Sequence, residues 1–251
     1  MKKRSGTFIV CAAAVLALGA GLAPQARSAS YITDTVPTAK GDLKITPVNH
    51  ATLFLEQGGK VIVVDPVSAA GDLSGLPKAD LVLITDIHGD HMDRAAIDKV
   101  KKASTVVVAP PSVAKTITEA QTISNGEKKT IAGIEIEAVP MYNITRGPKP
   151  GELFHDKGRG NGYILTLGGK RVYLSGDSEA TDEMKALKNI DVAFICMNLP
   201  YTMTPQEAAE AVKAFKPKIV YPYHYKGHDT EQFAAALKGT PGVEVRLRNW
   251  Y

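Results

Sequence analysis

Residues 85–93 read Thr-Asp-Ile-His-Gly-Asp-His-Met-Asp and directly follow the apolar run Leu-Val-Leu-Ile at 81–84. Four apolar residues bounded by polar and glycine positions predict a buried strand, which places the polar stretch on the loop at its end. Within the six positions 86–91, four side chains can bind a metal ion: Asp86, His88, Asp90 and His91. Imidazole and carboxylate groups suit zinc, iron or manganese, which support hydrolytic chemistry at open coordination positions. A polar turn rich in His and Asp is the alternative, but two of the chain's six histidines lie here.

The stretch closely resembles the His-x-His-x-Asp-His signature of the metallo-β-lactamase superfamily, with Asp86 in place of the first histidine. The resemblance covers essentially the whole chain after residue 30. It implies an α/β fold of the α+β type, a four-layer αββα sandwich in which two sheets pack together with helices outside. It also implies two divalent metal ions, zinc first, with manganese or iron as alternatives. Because the predicted strands form antiparallel clusters separated by helices, a doubly wound parallel sheet fits the sequence poorly.

Three further residues match the family's metal ligands in chain order. His155 lies in a long Gly/Pro-rich loop at 146–160, where an ordinary exposed histidine is the alternative. Asp177 resembles the aspartate of the family's Gly-Asp-Thr/Ser step, whose two carboxylate oxygens hold two cations. His224 ends a predicted strand at 218–223 and matches the last ligand. The resemblance thus implies one ion bound by Asp86, His88 and His155, a second bound by Asp90, His91 and His224, and Asp177 bridging them.

Asp86 is the one departure from the signature. A carboxylate in place of a neutral imidazole adds a negative charge, which makes the bound ion a weaker Lewis acid. As a harder ligand, it also shifts the preference of the site somewhat towards manganese or iron. Three interpretations stay open at this point. Asp86 binds the ion directly; or it supports the site while His50 or a water takes its place; or the first site is empty.

His50 and Asp65 are predicted to lie beside the metal ions without binding them. Asp65 follows a predicted strand at 61–64 and matches an acidic residue that the family commonly keeps near the metal. His50 lies between the first two predicted strands, with a hydrogen-bonded core histidine as the alternative. The family branch related to ascorbate-phosphate lactonase and the phospholipase D that acts on N-acyl phosphatidylethanolamine often has a histidine there. Residues 201–205, Tyr-Thr-Met-Thr-Pro, also resemble that branch. Candidate substrate contacts, each with a packing or turn role as its alternative, are Tyr142, Asn161 and Tyr201.

Residues 1–30 have the pattern of a secretory signal peptide. Three basic residues at 2–4 precede an apolar segment at 7–22, and small residues follow near 26–29. The apolar segment is shorter than a typical membrane span of about 20 residues. We therefore predict export to the periplasm or the medium and no stable membrane insertion after cleavage, with an uncleaved anchor as the alternative. Residues 31–251 are predicted to form a single domain of that fold.

The net charge limits the class of binding partner, and the cysteine count limits the disulfide bonds that the chain can form. Four of the 30 basic residues and no acidic residue lie in the predicted leader, which leaves 26 basic residues against 26 acidic ones. A net charge of zero argues against a nucleic-acid partner. Cys196 is the one cysteine after residue 30, so no intrachain disulfide can form there. Its place in the apolar run 192–196 predicts a small buried hydrophobic residue rather than a nucleophile.

Local patterns predict the remaining elements. Helices are expected over 94–102, over 111–119, after the Thr204-Pro205 step with Glu207 completing a capping box, and over 229–238. Hairpins are expected around 132–133 and 168–169, and a last strand over 243–250.

The resemblance implies attack of a metal-activated hydroxide on a carbonyl or phosphoryl centre, with Asp90 orienting or deprotonating the nucleophile and Asp177 bridging the ions. The expected activity is hydrolysis of a small-molecule ester, lactone, amide or phosphodiester. An exported β-lactamase is one alternative, disfavoured by His50 and by residues 201–205. A non-catalytic binding or scaffold protein is the other, disfavoured because every motif position but one matches. The sequence leaves the oligomeric state open.

Overall fold

The computed structural model describes Met1 and residues 31–251, so the predicted leader lies outside the described residues apart from Met1 and stays a prediction. Residues 31–251 contain two sheets of seven strands each. The first sheet runs, in spatial order, β1 (Asp34–Val36), β2 (Leu43–Asn49), β3 (Thr52–Gln57), β4 (Lys60–Val64), β5 (Ala79–Leu83), β6 (Lys101–Ala109) and β7 (Gln121–Thr122). The second comprises β8 (Lys128–Ile131), β9 (Ile134–Met141), β10 (Gly160–Leu167), β11 (Lys170–Leu174), β12 (Val192–Cys196), β13 (Ile219–Tyr223) and β14 (Glu244–Val245).

Both sheets change from antiparallel to parallel pairing at their fourth strand. Strands β1 to β4 pair antiparallel, and β4 to β7 pair parallel. Likewise β8 to β11 pair antiparallel, and β11 to β14 pair parallel. The antiparallel clusters predicted from sequence therefore describe one half of each sheet. The parallel half brings the carboxyl ends of neighbouring strands to one edge, where a loop site can form.

The helices described in residues 31–251 are α1 (Arg94–Val100), α2 (Pro111–Ala114), α3 (Asp182–Lys185), α4 (Pro205–Phe215) and α5 (Thr230–Leu237), with a short 3-10 turn at Ser68–Ala70. Strand β5 shows how the layers form, because its side chains alternate between two apolar clusters. Leu81 and Leu83 join the core between the sheets, whereas Val82 and the following Ile84 join a second cluster that contains Ile97 of α1. On the other sheet, Phe215 of α4 packs edge-on against Tyr173 of β11. Helices thus lie outside both sheets, which confirms the predicted αββα sandwich.

Several predicted elements are confirmed and others are shorter. Both hairpins form, and the capping box of α4 is complete, since the Thr204 hydroxyl accepts from the Glu207 N–H at 3.1 Å while the Glu207 carboxylate accepts from the Thr204 N–H at 2.8 Å. Helix α1 ends at Val100 because β6 begins at Lys101. The helix predicted over 111–119 is limited to α2, and the strand predicted over 243–250 is limited to β14. Trp250 instead packs edge-on against Tyr223, with ring centroids 5.8 Å apart.

Cys196 is fully buried on β12, and burial raises the pKa of its thiol to about 11. We expect iodoacetamide to alkylate Cys196 about a hundredfold more slowly in the folded chain than after unfolding, because a rise of two pKa units lowers the thiolate fraction a hundredfold. Mass spectrometry of the peptide that contains Cys196, before and after addition of guanidinium chloride, measures this. Equal labelling in both states would contradict the buried placement.

Among the described residues, the structure shows no helix with the length and apolar character needed to cross a membrane.

Candidate metal centre

The candidate ligands lie just beyond the ends of strands, at one edge of the two sheets. Asp86 follows β5, Asp177 follows β11 and His224 directly follows β13. At His224 the backbone turns sharply into the left-handed region, with φ of +48°. His50, after β2, and Asp65, after β4, do the same with φ of +53° and +42°. Such conformations are uncommon for non-glycine residues and cluster at functional sites, because the surrounding fold must hold them.

Asp177 is placed by the glycine before it. Gly176 has φ of +58°, and a Cβ atom there would collide with the Met141 side chain. The Gly176 N–H donates to the Tyr223 hydroxyl at 2.9 Å, which ties the turn to β13. Glycine alone accommodates both the positive φ and the lack of room for a Cβ atom. The turn that it makes places the Asp177 carboxylate in a buried position, beside histidines from the loops of both sheets.

Four side chains converge in a first group, consisting of Asp90, His91, Asp177 and His224. The Asp177 Oδ2 atom lies 3.2 Å from His91 Nε2, and Oδ1 lies 3.3 Å from His224 Nε2. Asp90 Oδ2 lies 3.5 Å from the same His224 nitrogen, and Asp90 Oδ1 lies 3.8 Å from His91 Nε2. Two carboxylates and two imidazole nitrogens therefore surround one point.

A second group lies beside the first and consists of Asp86, His88 and His155. Asp86 Oδ2 is 3.0 Å from His88 Nδ1 and 4.0 Å from His155 Nε2. His155 Nε2 is also 3.3 Å from Asp177 Oδ2. Asp177 thus contacts members of both groups, and all seven predicted ligands are brought together at one place.

The residues present fit metal ions, because buried polar atoms here lack other partners. Within the described part of the chain, the inward-facing His91 Nε2, His155 Nε2, Asp177 Oδ1 and His224 Nε2 atoms are buried and make no hydrogen bond. Buried polar atoms almost always have a hydrogen-bond partner, so four atoms without one that face the same point need an explanation. A cation supplies one, since imidazole nitrogen and carboxylate oxygen are both ligands of zinc, iron and manganese.

The charges at this site also favour cations. Burial opposes a charge on His91, but the Asp177 and Asp65 carboxylates raise its pKa well above the ordinary value. Burial likewise opposes ionisation of Asp90, yet the neighbouring imidazoles of His224 and His50 hold its pKa well below the usual range. The pKa of Asp177 is also held well below the usual range, against its burial, by His224 and His91. Both carboxylates are therefore ionised at neutral pH and create a negative potential in a buried site.

The site is open to solvent on the side where His88 and Asp90 lie. The side chains of His88 and Asp90 are each 45% exposed, whereas those of His91, His155, Asp177 and His224 are 4% exposed or less. A small molecule can therefore reach the two groups from this side, while the opposite side is closed by protein.

Asp65 lies directly behind His91. Its Oδ2 atom accepts from His91 Nδ1 at 2.9 Å and from the Thr85 hydroxyl at 2.6 Å, and its Oδ1 accepts from the Thr85 N–H at 2.8 Å. All three residues are fully buried. Because Asp65 holds the proton on Nδ1, Nε2, which faces Asp177, is the ring nitrogen that can bind a cation in place of its own proton. The carboxylate therefore fixes both the tautomer and the orientation of the ring.

Sequence reasoning missed the equivalent support behind His155. Its Nδ1 donates to the Asn143 side-chain oxygen at 2.6 Å, and the Asn143 amide nitrogen donates to Glu179 at 3.1 Å. Glu179 is 5% exposed and also accepts from the N–H groups of Thr145 and Arg146. The sequence signal was an acidic residue two positions after Asp177, but its partners lie more than thirty residues away.

His50 contacts the first group rather than Asp86. Its Nε2 atom lies 3.1 Å from Asp90 Oδ2, and its Nδ1 lies 2.5 Å from the Tyr251 hydroxyl. The His50 and His224 rings lie 3.6 Å apart between centroids. The interpretation in which His50 takes the place of Asp86 is therefore wrong, because His50 is engaged at the other end of the site.

Asp86 is held by a residue that the sequence did not single out. Arg159 donates from Nε to Asp86 Oδ1 at 3.2 Å and from Nη2 to Oδ2 at 2.9 Å. Burial of Asp86 opposes its ionisation, but the hydrogen bond from His88 and the charges of His91 and Arg159 lower its pKa to about 2. Asp86 is therefore an anion at neutral pH despite being fully buried.

Of the three predicted substrate contacts, Asn161 is a correction. It is 1% exposed, and its amide group is occupied by Ile123, Tyr163 and Asn125. Full burial and three internal hydrogen bonds leave it no surface for a substrate. Tyr201 is 45% exposed and packs edge-on against Phe154, the neighbour of His155, with ring centroids 5.0 Å apart. The Tyr142 hydroxyl donates to Glu183 at 2.9 Å, so its phenol is already engaged.

Comparison with known proteins agrees with this geometry. The family described as the beta-lactamase superfamily domain matches residues 44–224, which include all seven candidate ligands. The chain belongs to the beta-lactamase superfamily.

Relatives within this superfamily cover most of the chain. A UPF0173 metal-dependent hydrolase of Thermococcus kodakarensis is 33% identical over 82% of this chain and 100% of its own. A crystal structure from Parabacteroides distasonis, provisionally named a metal-dependent hydrolase, is 44% identical, covers 87% of this chain and 99% of its own, and has a TM-score of 0.82. The metallo-beta-lactamase fold protein YhfI of Bacillus subtilis is 15% identical, covers 82% of this chain and 96% of its own, and shares the fold with a TM-score of 0.66.

Proposed function

We propose that this member of the beta-lactamase superfamily is a metal-dependent hydrolase of a small-molecule ester, lactone, amide or phosphodiester. The observation that carries the proposal is the convergence of four buried, unpaired ligand atoms on His91, His155, Asp177 and His224. In the proposed assignment Asp86, His88 and His155 hold one divalent ion, Asp90, His91 and His224 hold another, and Asp177 bridges them. Zinc is the first candidate, with manganese or iron as alternatives.

Divalent ions bound there supply Lewis acidity and lower the pKa of water, which is the chemistry that hydrolysis needs. The chain's own residues arrange the reaction around that chemistry. Asp90 is the one carboxylate ligand with a well-exposed side chain, so it orients an entering water by accepting its hydrogen bond. His50 holds Asp90 in place through Oδ2. Asp65 and Asn143 fix the two rings that face Asp177.

The rim of the site favours a substrate with an apolar group beside the reacting centre. Tyr201 is 45% exposed, and Phe154, the neighbour of His155 in the chain, packs against its ring. The Asn143 amide nitrogen donates to the Tyr201 carbonyl at 2.7 Å, which ties this rim to the support of His155. An ester, lactone or amide with an apolar acyl part fits such a rim. Resemblance to the lactonase and phospholipase-like branch supports the same choice.

The alternatives are weaker. The Thermococcus and Parabacteroides relatives carry the name metal-dependent hydrolase, and neither those names nor the site's features favour an exported β-lactamase. A binding or scaffold function does not require seven ligand candidates at one place, nor the hydrogen bonds by which Asp65 and Asn143 orient His91 and His155.

The proposal is tested by metal content and turnover on the same purified chain. Mass spectrometry is expected to give about two divalent ions per chain, and a chelator is expected to remove both the ions and the turnover, which zinc then restores. Lactone, β-lactam and phosphodiester reporters, run in parallel, distinguish the substrate classes, and we expect the lactone to be cleaved fastest. No bound ion, together with no turnover after addition of zinc, manganese or iron, would contradict the proposal.

A further inference from the structure

The contact between Asp86 and Arg159 bears on the one residue that departs from the family signature. The guanidinium binds both carboxylate oxygens in a fork, and it is itself anchored, because Nη1 donates to the Phe154 carbonyl at 2.6 Å. The Arg159 carbonyl accepts from the Ser112 hydroxyl at 2.6 Å. The Arg159 side chain is 22% exposed and that of Asp86 is fully buried. The pair is therefore a fixed internal feature and not a mobile surface contact.

The fork leaves Asp86 able to bind an ion. A carboxylate offers about four lone-pair positions, and Arg159 takes one on each oxygen. Oδ2 faces His88 Nδ1 at 3.0 Å and lies 4.0 Å from His155 Nε2, which are the other ligand candidates of its group. One lone pair of Oδ2 therefore accepts from Arg159, and another remains free to bind an ion beside His88 and His155. Hydrogen bonding of this kind commonly orients carboxylate ligands.

The pair also restores the charge of the replaced histidine. Asp86 contributes one negative charge where the signature has a neutral imidazole, and Arg159 contributes one positive charge that it cannot lose. The ion therefore faces a ligand whose charge is offset within 3.2 Å. The weaker Lewis acidity expected from the extra negative charge of Asp86 alone does not follow once Arg159 is included.

We propose that Arg159 is a positioning residue for the metal site, and that Asp86 and Arg159 act together as a neutral substitute for the first histidine of the signature. This inference rests on the proposed function, since it concerns a metal ion bound at that site. It predicts that the two residues are coupled. In the Asp86→His variant, the Arg159 guanidinium loses its carboxylate partner and lies beside a dication. The variant that combines Asp86→His with Arg159→Gln has a neutral residue at both positions, as the family signature has at the first histidine.

A double-mutant cycle on zinc affinity tests the coupling without using activity. Zinc dissociation constants are measured by competition with a chromophoric chelator for the wild-type chain, Asp86→His, Arg159→Gln and the double variant. When Asp86 is present, we expect Arg159→Gln to weaken binding of one ion about tenfold, because the carboxylate loses the fork that orients it towards the ion. When His occupies position 86, the same change should strengthen binding about tenfold, because it only removes a positive charge beside the ion. Circular dichroism and gel filtration check that each variant is folded. Arg159→Lys, which keeps the charge without the fork, remains as a folded substitute if Arg159→Gln unfolds.

Arg94→Gln is the matched control, because Arg94 makes a comparable pair with Glu119 at the surface, and it is expected to leave zinc affinity unchanged. If the effects of the Arg159 substitution at the two versions of position 86 differ by about tenfold or more in the stated direction, the proposal holds. A smaller or reversed difference, in a wild-type chain that binds two ions, would overturn this inference alone. A wild-type chain that binds no ion would overturn the proposed function and this inference with it.

Discussion

Replacement of Asp177 by asparagine is expected to release metal from both groups and to lower turnover about a thousandfold or more, because the ions supply several kcal/mol of transition-state stabilisation. The Asp177 carboxylate lies within 3.3 Å of imidazole nitrogens from His91, His155 and His224. Asparagine keeps the shape but carries no charge and offers one oxygen. Its amide nitrogen would take the place of the second oxygen, and a protonated amide nitrogen does not bind a cation.

Metal content by mass spectrometry and the rate of reporter hydrolysis measure this effect. Asp182→Asn is the matched control, since Asp182 is a fully exposed aspartate five positions further on in α3, and it is expected to behave as wild type. An Asp177→Asn chain that keeps two ions and most of its turnover would remove Asp177 from the bridging position.

Asp65→Asn is expected to produce the second largest effect, although Asp65 touches no ion. It should weaken metal binding about ten- to a hundredfold, as loss of a carboxylate behind a histidine ligand commonly does. It should also lower the free energy of unfolding of the metal-free chain by about 1–3 kcal/mol, because buried Thr85 and His91 donors lose a charged acceptor. Asparagine tolerates the positive φ of this position, so the backbone conformation is kept.

Chelator competition and urea unfolding of the metal-free chain measure the two effects separately. Asp80→Asn serves as the control. Asp80 lies on β5, accepts from the Val61 N–H of β4 and pairs with Lys60 of β4 and Lys102 of β6, and none of these partners is a candidate ligand. That variant should lose stability and keep its metal affinity. Unchanged affinity in Asp65→Asn would show that Asp65 serves the fold and not the metal site.

Local patterns in the sequence were sufficient for the strands and for the candidate ligands. Residues 81–84 predict a strand because it is buried on both faces, and its alternate side chains enter different clusters. The grouping of the candidate ligands could be predicted because the motif is compact and because the later residues follow strand ends in chain order. Short helices such as α2 were overestimated, since a proline start and apolar spacing do not show where tertiary contacts stop a helix.

The supporting residues could not be predicted in the same way. Arg159 reaches Asp86 across 73 positions of sequence, and Asn143 reaches Glu179 across 36. No spacing rule connects such pairs. Asp86 and Arg159 follow or precede strands of different sheets and meet when the sheets pack, whereas Asn143 and Glu179 meet when β9, β10 and β11 pair within one sheet. Asn161 shows the reverse error, since a polar residue near the ligand loop was expected to face a substrate and is instead consumed by buried hydrogen bonds.

The central claim is that seven side chains hold two ions with Asp177 between them. Crystals grown with zinc, with diffraction data collected on both sides of the zinc absorption edge, test it most directly. The account predicts two anomalous peaks, one bounded by Asp86, His88 and His155 and one by Asp90, His91 and His224, with an Asp177 oxygen next to each. A zinc-containing crystal with no peak beside Asp177, or with its ions bound elsewhere, would contradict it.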